Sequence, residues 1–434
     1  MSDLEQKLRD KSAMIAVIGL GYVGLPLAVS FASAGLKVLG IDIQQKRVDR
    51  VNNGESYITD VTAQHLEKVT SSGLLTATTD HSRLAAASAI CVCVPTPLTR
   101  AREPDLSHVV YESEQISRSL KRGQLVVLES TTCLGTTREI MLPILERSGL
   151  KAGTDFYLAY SPERIDLGGA AYGIYNIPKI VGGIGPESTR LASLLYRRVT
   201  GKVIIVSSTE TAEMTKVFEN VFRNVNIALV NELAQLCEKM DISVWEVIRA
   251  ASTKPFGYMP FYPGIGTGGH NTPVDPYYLA SKAREYDFHT RFIQLAAEIN
   301  EYMPYHVASR IMDALNDHKK SINKSKILVL GVAYKKDVAD IRESPSLKLI
   351  SVLQKMGAAV SYHDPHIAQV RLPSGIQSSI ELNNGSLESF DCTVFATAHS
   401  CYDIKKIVSA SKLVFDARGV TRHINRDNIV RLGE

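Results

Sequence analysis

The sequence predicts an α/β protein with two Rossmann-like, doubly wound parallel-sheet domains, joined by a long central helix and a helical middle domain. Three observations predict this fold. A G-x-G-x-x-G turn at 19–24 follows the short apolar run 14–18. Residues 208–240 contain no glycine or proline and read as one long helix. A second apolar run at 326–330 then opens a new series of alternating strands and helices.

Composition narrows the class of protein. The chain has 434 residues, of which 45% are hydrophobic and 22% charged, as in ordinary globular proteins of two or three domains. The net charge of +4 is small, and no dense Lys/Arg run with interleaved aromatics is present, so we expect no nucleic-acid partner. The six cysteines do not follow a zinc spacing, which predicts reduced thiols, no metal site and a cytoplasmic protein.

One stretch imitates a membrane span. Residues 14–36 are uncharged and long enough to cross a bilayer. The glycine spacing instead favours a buried strand followed by a buried helix. The preceding residues 1–13 alternate acids and bases, which does not fit a secretory signal. We therefore expect neither a membrane partner nor a cleaved leader.

The glycine turn predicts a dinucleotide site. Its glycines allow a tight turn and a close approach to a pyrophosphate at the N-terminus of the next helix. Asp42 ends the following strand, where an acid binds ribose hydroxyls and repels a 2′-phosphate, so NAD is favoured over NADP. Later strands deliver further polar groups at their carboxyl ends, although helix capping is an alternative role for each of these hydroxyls. The predicted cofactor-binding residues are Gly19, Gly21, Tyr22, Val23, Gly24, Asp42, Arg47, Pro95, Thr96, Ser130 and Thr131.

The long helix carries a polar stripe. Glu213, Lys216, Asn220 and Asn224 lie at i, i+3, i+7 and i+11, on one helix face. Such a stripe faces either a site or a solvated groove. The glycine-rich stretch 253–276 is a long loop, and long loops in compact domains are usually functional.

The third part of the chain contains a candidate anion site. Ser344 is a suitable N-cap and Pro345 suits the first helical position. Lys335 and Arg342 come shortly before this helix, and cations beside free backbone N–H groups attract anions.

Taken together, the motifs resemble the nucleotide-sugar dehydrogenases of the UDP-glucose/GDP-mannose dehydrogenase superfamily over nearly the whole chain. The resemblance is carried by "GLGYVGLPLA", "VPTP", "EST", "SPER", "NIPKIVGG", "ETAEMTKVFEN", "KPFGYMPFYPG", "PVDPYYL", "GVAYKKDVADIRESP", "YHDPH" and "DCTVFATAHS". The form of the glycine-rich loop looks like the branch that acts on UDP-N-acetylhexosamines. The family supplies sugars for polysaccharide biosynthesis.

The resemblance implies a domain for each task. Residues 1–207 would bind NAD, 208–318 would form a homodimer and contact substrate, and 319–434 would bind the UDP moiety. Family members oxidise C6 of the sugar twice, from alcohol through aldehyde to acid.

The resemblance also implies roles for individual residues. Lys216 and Asn220 would polarise the developing alkoxide, and Asp275 would hold a water that carries the proton. Glu163 would activate the hydrolytic water of the last step, which Thr131 would help to bind. The implied substrate-binding residues are Glu163, Arg164, Lys216, Asn220, Arg223, Phe261, Tyr262, Gly268, Lys335 and Arg342.

The sequence departs from the family at the nucleophile. Where the family loop has G-G-H-C, this chain has Asn271, and an amide nitrogen is not a comparable nucleophile. The first hypothesis is therefore that oxidation stops at the C6 aldehyde or its hydrate. A second is full oxidation through the hydrate with Glu163 as base. A third is a redox-silent UDP-sugar-binding homologue, or an isomerase that uses NAD transiently. Cys133 is the one cysteine we consider as a substitute.

Overall fold

The structure is a computed structural model, and it describes residues 3–58, 60–99, 103–164, 175–269, 272 and 274–434. The chain forms two compact units. The first comprises Met1–Glu219 and Tyr277–Asp287, and the second comprises Asn220–Pro276 and Phe288–Glu434.

The first unit is built on a sheet of eight strands among the described residues, in the order β3-β2-β1-β4-β5-β6-β7-β8. The strands are β1 (Met14–Ile18), β2 (Lys37–Ile41), β3 (Leu75–Thr78), β4 (Ala89–Val92), β5 (Leu125–Leu128), β6 (Tyr157–Tyr160), β7 (Lys179–Gly183) and β8 (Val203–Ile205). Neighbours are parallel, as predicted, except that β7 runs antiparallel to β6. The apolar run of a buried strand does not encode its direction, so no sequence pattern indicated this reversal.

Helices cover both faces of this sheet, which explains why its strands are apolar on both sides. They are α1 (Asp3–Arg9), α2 (Gly24–Ser33), α3 (Gln45–Asn52), α4 (Ala63–Ser71), α5 (Ser107–Ser119), α6 (Leu142–Glu146) and α7 (Pro186–Tyr196), with a 3-10 segment at His81–Ala86 and a π-helical segment at Thr136–Met141. The uncharged stretch 14–36 therefore folds as β1 and α2, as the glycine spacing predicts. Among the described residues, no helix combines the length and apolarity that crossing a membrane requires.

Four helices follow in the middle of the chain: α8 (Thr209–Lys239), α9 (Val244–Ala251), α10 (Asp275–Arg284) and α11 (Arg291–Asp317). The 31 residues of α8 match the predicted long helix, and the boundary between the two units falls within it.

The second unit contains a parallel sheet of five described strands in the order β10-β9-β13-β14-β15, and a separate antiparallel pair, β11 with β12. The strands are β9 (Lys326–Leu330), β10 (Ala359–His363), β11 (Gln369–Leu372), β12 (Gly375–Ser378), β13 (Cys392–Phe395), β14 (Val414–Asp416) and β15 (Ile429–Arg431). The remaining helices are α12 (Pro345–Lys355), α13 (Asn384–Ser389) and α14 (Ile404–Ala410). α11 and α12 pack together on one face of the five-stranded sheet, in a core that includes Val307, Ile311 and Leu349.

Candidate active site

The glycine turn after β1 has the geometry of a pyrophosphate cradle. Gly19 has φ +86°, and a Cβ there would lie 2.6 Å from the carbonyl oxygen of Cys93. A Cβ on Gly24 would lie 1.9 Å from the carbonyl oxygen of Gly19, whereas one on Gly21 would meet no atom within 4 Å. Helix α2 begins at Gly24, and no side chain caps its first N–H groups. The residues therefore fit the diphosphate of a dinucleotide at an open helix N-terminus.

Asp42 occupies the position expected for the ribose acceptor. Its buried carboxylate accepts N–H groups from Leu20 (3.0 Å to Oδ2) and Gln44 (2.9 Å to Oδ1). Arg47 lies 3.2 Å from Oδ2. An ionised carboxylate has about four lone-pair sites, so Asp42 can accept ribose hydroxyls in addition to these bonds.

The predicted hydroxyls lie at the carboxyl ends of β4 and β5. The Thr96 hydroxyl donates to the carbonyl oxygen of Thr131, and the Tyr278 hydroxyl donates to the carbonyl of Thr96. Ser130 is buried and its Oγ lies 3.4 Å from the carbonyl oxygen of Val92. These bonds fix the two strand-end loops in the first unit. Tyr22 and Val23 are half-buried at the glycine turn, and Pro95 is exposed.

Glu163 belongs to a buried charge cluster in the first unit. Its Oε2 lies 3.2 Å from Lys179 Nζ, and Lys179 also donates to Glu129 Oε2 at 2.5 Å. Tyr196 donates its hydroxyl to the other oxygen of Glu129. Burial raises the pKa of Glu129, although the neighbouring ammonium opposes this shift. We call Glu129, Glu163, Lys179 and Tyr196 the β5–β7 cluster.

The guanidinium of Arg164, which is predicted to bind substrate, makes three bonds to described residues of the first unit. Its Nη2 and Nε donate to the two carboxylate oxygens of Glu219 at 2.5 and 3.1 Å, and Nη1 donates to the carbonyl of Pro178 at 2.7 Å. A bidentate pair of this kind holds a guanidinium in one orientation. Its binding to substrate remains a prediction.

The polar stripe of α8 is buried rather than solvated. Glu213 accepts N–H groups from Gly135 (2.6 Å) and Thr137 (2.9 Å), and the hydroxyl of Thr137 at 2.7 Å. Burial raises the pKa of Glu213 to about 7, although these donors oppose the shift. One turn further on, Lys216 is only 7% exposed. Glu213 therefore caps the π-helical segment, a structural role that the stripe alone did not indicate.

In the second unit, Asn220 and Asp275 form a buried pair. Asn220 is 4% exposed and Asp275 is fully buried. Asn220 Nδ2 donates to Asp275 Oδ2 at 2.5 Å, which links α8 to the first residue of α10. The structure thus brings together two of the three residues predicted for the first oxidation.

A chain of asparagines holds the glycine-rich loop of the second unit. The Gly264 N–H donates to Asn231 Oδ1, Asn231 donates to Asn300 Oδ1, and Asn300 donates to Asn224 Oδ1, each at 2.9 Å. Thr267 also donates to Asn224 Oδ1, at 3.2 Å. Because a backbone N–H can only donate, it orients all three amides in one direction. The loop is therefore anchored at both 264 and 267.

The other predicted substrate residues are placed in the second unit. Gly268 is packed so closely that a Cβ would lie 2.8 Å from Tyr334 Cβ. Phe261 packs edge-on against Phe222, with ring centroids 5.8 Å apart. Tyr262 stacks on Trp245 and lines a cavity of about 710 Å³. Arg223 is exposed on α8.

The anion site before α12 differs in detail from the prediction. Ser344 is at the N-cap position, but its hydroxyl donates to the Val332 carbonyl at 2.7 Å and does not cap the helix. The Arg342 guanidinium is paired with Asp340, with Nη2 at 2.6 Å from Oδ2. Lys335 is half-buried in the same segment. The helix therefore keeps N–H groups that the Ser344 side chain leaves open.

Asn271 lies outside the described residues, as do His270 and Pro273. Cys133, the substitute thiol, is half-buried and donates to the Tyr278 carbonyl at 3.6 Å. Burial raises its pKa to about 11, and raises the pKa of Cys392 to about 12. These two thiols are thus protonated near neutral pH and poor nucleophiles.

A possible metal-binding group in the second unit does not offer three open ligands. Asp337, His366 and His399 bring ligand atoms within 4.8 Å of one another. Yet His399 Nδ1 accepts the Asp337 N–H at 3.0 Å, and Nε2 lies 3.0 Å from Asp364 Oδ2. Both ring nitrogens are engaged, so this histidine serves the fold.

Some residues of these sites had no predicted role. Glu129 and Lys179 lie within motifs quoted above. The signal available for them was a charged residue beside an apolar strand, because a charged side chain that is buried needs a partner. Asn224 belonged to the predicted polar stripe, but Glu219, Asn231 and Asn300 had no such signal, because their partners are distant in sequence.

Comparison with known proteins defines the class of protein to which this chain belongs. Residues 13–200 match the NAD binding domain of the UDP-glucose/GDP-mannose dehydrogenase family. Together with the Rossmann sheet and the glycine turn, this match makes the chain an NAD-dependent oxidoreductase that acts on a CH–OH group. Residues 210–302 match the central domain of the same family, and 328–423 match its UDP binding domain. The chain belongs to the UDP-glucose/GDP-mannose dehydrogenase family.

Its relatives include dehydrogenases of N-acetylated UDP-sugars. The UDP-N-acetyl-D-mannosamine dehydrogenase of Pyrococcus horikoshii is 38% identical over 387 residues, covering 89% of each chain. The UDP-N-acetyl-D-glucosamine 6-dehydrogenase of Pseudomonas aeruginosa is 34% identical, covering 94% of this chain and 97% of the relative. A solved structure of UDP-D-ManNAc dehydrogenase from P. horikoshii superimposes with a TM-score of 0.88 at 34% identity, over 97% of this chain and 99% of the other.

Proposed function

We propose that this enzyme oxidises C6 of a UDP-N-acetylhexosamine, with NAD as the hydride acceptor. The observation that carries the proposal is the buried Asn220–Asp275 pair, 2.5 Å between Nδ2 and Oδ2. The names of the relatives and the match to a UDP binding domain support the substrate class. Bound NAD would supply the electron sink for C6.

The residues of the first step would act on the C6 oxygen. Lys216 supplies an ammonium and Asn220 an amide donor, and both stabilise negative charge as the alcohol loses its proton. Asp275 orients the Asn220 amide and holds the water through which the proton leaves. The burial of these groups strengthens each electrostatic contact, because little water competes with it.

We infer that oxidation continues to the acid through the aldehyde hydrate. The hydrate is itself an alcohol, so a second hydride can leave C6 without a thiol nucleophile. Glu163 supports this route, because its carboxylate is already held by Lys179 Nζ and by the Arg164 N–H, 2.6 Å from Oε1. It would take the hydroxyl proton as the hydride leaves.

Release of the aldehyde is the second candidate, and Asn271 favours it. An amide at that position cannot form the thiohemiacetal that retains the aldehyde in the enzyme. A short residence time of the aldehyde would then end the reaction after one oxidation.

The experiment is the ratio of NADH formed to UDP-N-acetylglucosamine or UDP-N-acetylmannosamine consumed, with an aldehyde trap in parallel. A ratio near two, with uronic acid as product, is expected. A ratio near one with trapped aldehyde would establish the second candidate. Tight UDP-sugar binding with no NADH, even at high enzyme concentration, would overturn the proposed activity.

Asn220→Leu tests the first step. The variant removes the amide at similar volume, so we expect a fall in kcat of about 100-fold or more. Asn226→Ala on the same helix is the control, because Asn226 Nδ2 donates to the Phe222 carbonyl one turn away, in an exposed bond within the helix itself. An Asn220→Leu enzyme with normal kcat would exclude a role for the pair.

We also propose that the enzyme is a homodimer through α8. Phe222, Leu229, Leu236 and Met240 are 42 to 62% exposed and lie at intervals of seven, seven and four residues. Such a stripe on a helix surface is typical of a protein interface. Light scattering should give a dimer for the natural chain and a monomer for the Leu229→Glu/Leu236→Glu variant. A monomeric natural chain at micromolar concentration would refute the dimer.

A further inference from the structure

Lys179 has no assigned role, and its position singles it out. We propose that Lys179 is a positioning residue, locked by Glu129, that holds the Glu163 carboxylate in place for proton removal at C6. The inference rests on the proposed function and specifies how its second oxidation is prepared.

The topology of the first unit explains how the three charges meet. β6 lies between β5 and β7 in the sheet. Glu129 follows the last residue of β5, and Glu163 lies three residues beyond the end of β6. Because β7 runs antiparallel to β6, with Tyr160 opposite Gly182, its first residue Lys179 begins at the edge where β6 ends. The reversal of one strand therefore brings the ammonium to both carboxylates.

The distances show which contact is anchored and which is adjustable. Lys179 Nζ lies 2.5 Å from Glu129 Oε2 and 3.2 Å from Glu163 Oε2. Its Nζ also lies 5.1 Å from the centre of the Tyr196 ring, whose hydroxyl bonds to Glu129. Glu129 and Tyr196 thus fix the ammonium from one side. Glu163, on the other side, is the member with the greater exposure, 13% for its side chain against 0% for Glu129.

The charge balance of the β5–β7 cluster suits a proton acceptor. Two carboxylates share one ammonium, so the cluster with both acids ionised has a net charge of −1. Buried like charges disfavour each other, and one added proton relieves the imbalance. A proton arriving at Glu163 would leave the Lys179–Glu129 pair intact and neutral overall.

The chemical step is balanced by this arrangement. The hydrate R–CH(OH)₂ loses a hydride from C6 to NAD⁺ and one hydroxyl proton to the Glu163 carboxylate. The remaining oxygen electrons form the second C–O bond of the carboxylic acid. The products are the acid, NADH and protonated Glu163, which later returns its proton to water. Lys179 neither gives nor takes a proton.

The test uses two variants that should shift the pH–rate profile in opposite directions. The substrate is the UDP-N-acetylhexosamine 6-aldehyde, which is hydrated in water, and the rate of NADH formation is measured against pH. In Lys179→Met, Glu163 loses its cation, and we expect a rate about tenfold lower at pH 7 and an acid limb about one pH unit higher. In Glu129→Gln, Glu163 loses a neighbouring anion, and the acid limb should move to lower pH. Lys179→Arg keeps the charge and should restore most of the rate.

Controls and a second readout separate positioning from stability. Lys151→Met removes an exposed Lys–Glu pair of the same unit, 3.0 Å from Glu146, and should leave the profile unchanged. A crystal structure of Lys179→Met should show the Glu163 carboxylate displaced, and that of Lys179→Arg should show it in place. If Lys179→Met does not fold, Glu129→Gln decides the matter by the direction of its shift.

Unshifted profiles in folded Lys179→Met and Glu129→Gln would overturn the inference. The proposed function fails separately, in the natural enzyme, if the UDP-sugar alcohol yields no NADH. Alcohol oxidation without any oxidation of the supplied aldehyde would overturn the positioning role while preserving the first step.

Discussion

The large sheets of the two units share one hydrogen-bonding feature but use it differently. In both units, an aspartate at the end of the second strand accepts backbone N–H groups from the turn after the first strand. Asp42, after β2, accepts the Leu20 N–H at 3.0 Å. Asp364, after β10, accepts the N–H groups of Val332 (2.7 Å) and Ala333 (2.9 Å).

The two aspartates differ in what remains open. Asp42 has one turn N–H, one from Gln44 and a partly exposed arginine beside it, which leaves room for a ligand. Asp364 is further engaged by the His366 N–H (2.9 Å) and by the ring of His399 (3.0 Å). The first turn has glycine at 21, whereas the second has Val332 and Ala333 after Gly331. Asp42 is thus available to bind a ligand, whereas Asp364 holds the turn after β9 in place.

The largest expected effect is on stability, and it distinguishes Gly24 from Gly21 in the turn after β1. Gly24→Ala places a Cβ 1.9 Å from a backbone oxygen, so we expect a loss of more than about 3 kcal/mol in unfolding free energy. Gly21→Ala meets no atom within 4 Å and should fold normally but bind NAD about tenfold more weakly. Urea unfolding measures the stability of each variant, and NAD titration measures its affinity for the cofactor. Equal stability of the two variants would contradict the packing argument.

Asp364→Asn should be the next most damaging change. The amide keeps the shape but cannot accept all four bonds, and we expect a cost of about 2–3 kcal/mol at pH 7. Although burial alone would raise it, the His399 ring and the backbone N–H groups hold the pKa of Asp364 at about 2, below its ordinary 3.8. Its stabilisation is therefore full above about pH 4 and is lost as pH falls through about 2. The stability gap between the natural chain and the variant should close on that descent. A gap that is constant from pH 7 to pH 2 would show that the charge is irrelevant.

Asp42→Asn should affect the ligand rather than the fold. We expect the Kd for NAD to rise about tenfold and the preference over NADP to fall, because a ribose acceptor and a repelling charge are both lost. Calorimetry measures the affinity, and thermal unfolding without ligand serves as the control. If Asp42→Asn destabilised the fold as much as Asp364→Asn, the proposed difference between a ligand-binding and a structural aspartate would be wrong.

The smallest effect is expected before α12. Lys335→Met should weaken UDP binding about three- to tenfold at low salt, with a smaller difference at high salt. Lys355→Met, in the last turn of the same helix, is the control. Equal effects of the two lysines would indicate a general charge effect rather than a site.

The sequence predicted most of the fold because strand, glycine and helix signals are local. It located the dinucleotide turn and the 31-residue helix for that reason. The Asn220–Asp275 contact joins residues 55 positions apart, and spacing alone could not predict it. Ser344 shows a subtler limit: propensity placed it at the N-cap, but tertiary packing turned its hydroxyl to Val332.

The antiparallel pairing of β7 with β6 also makes the register of these two strands depend on a buried ion pair. Side chains alternate across a strand, so a slip of one residue between β6 and β7 would carry the Lys179 side chain to the opposite face of the sheet. Misregistered chains would then bury two carboxylates with no cation, a costly arrangement that favours re-opening of the strand pair. The Lys179–Glu129 ion pair thus favours the observed register of β6 and β7 over a register shifted by one residue.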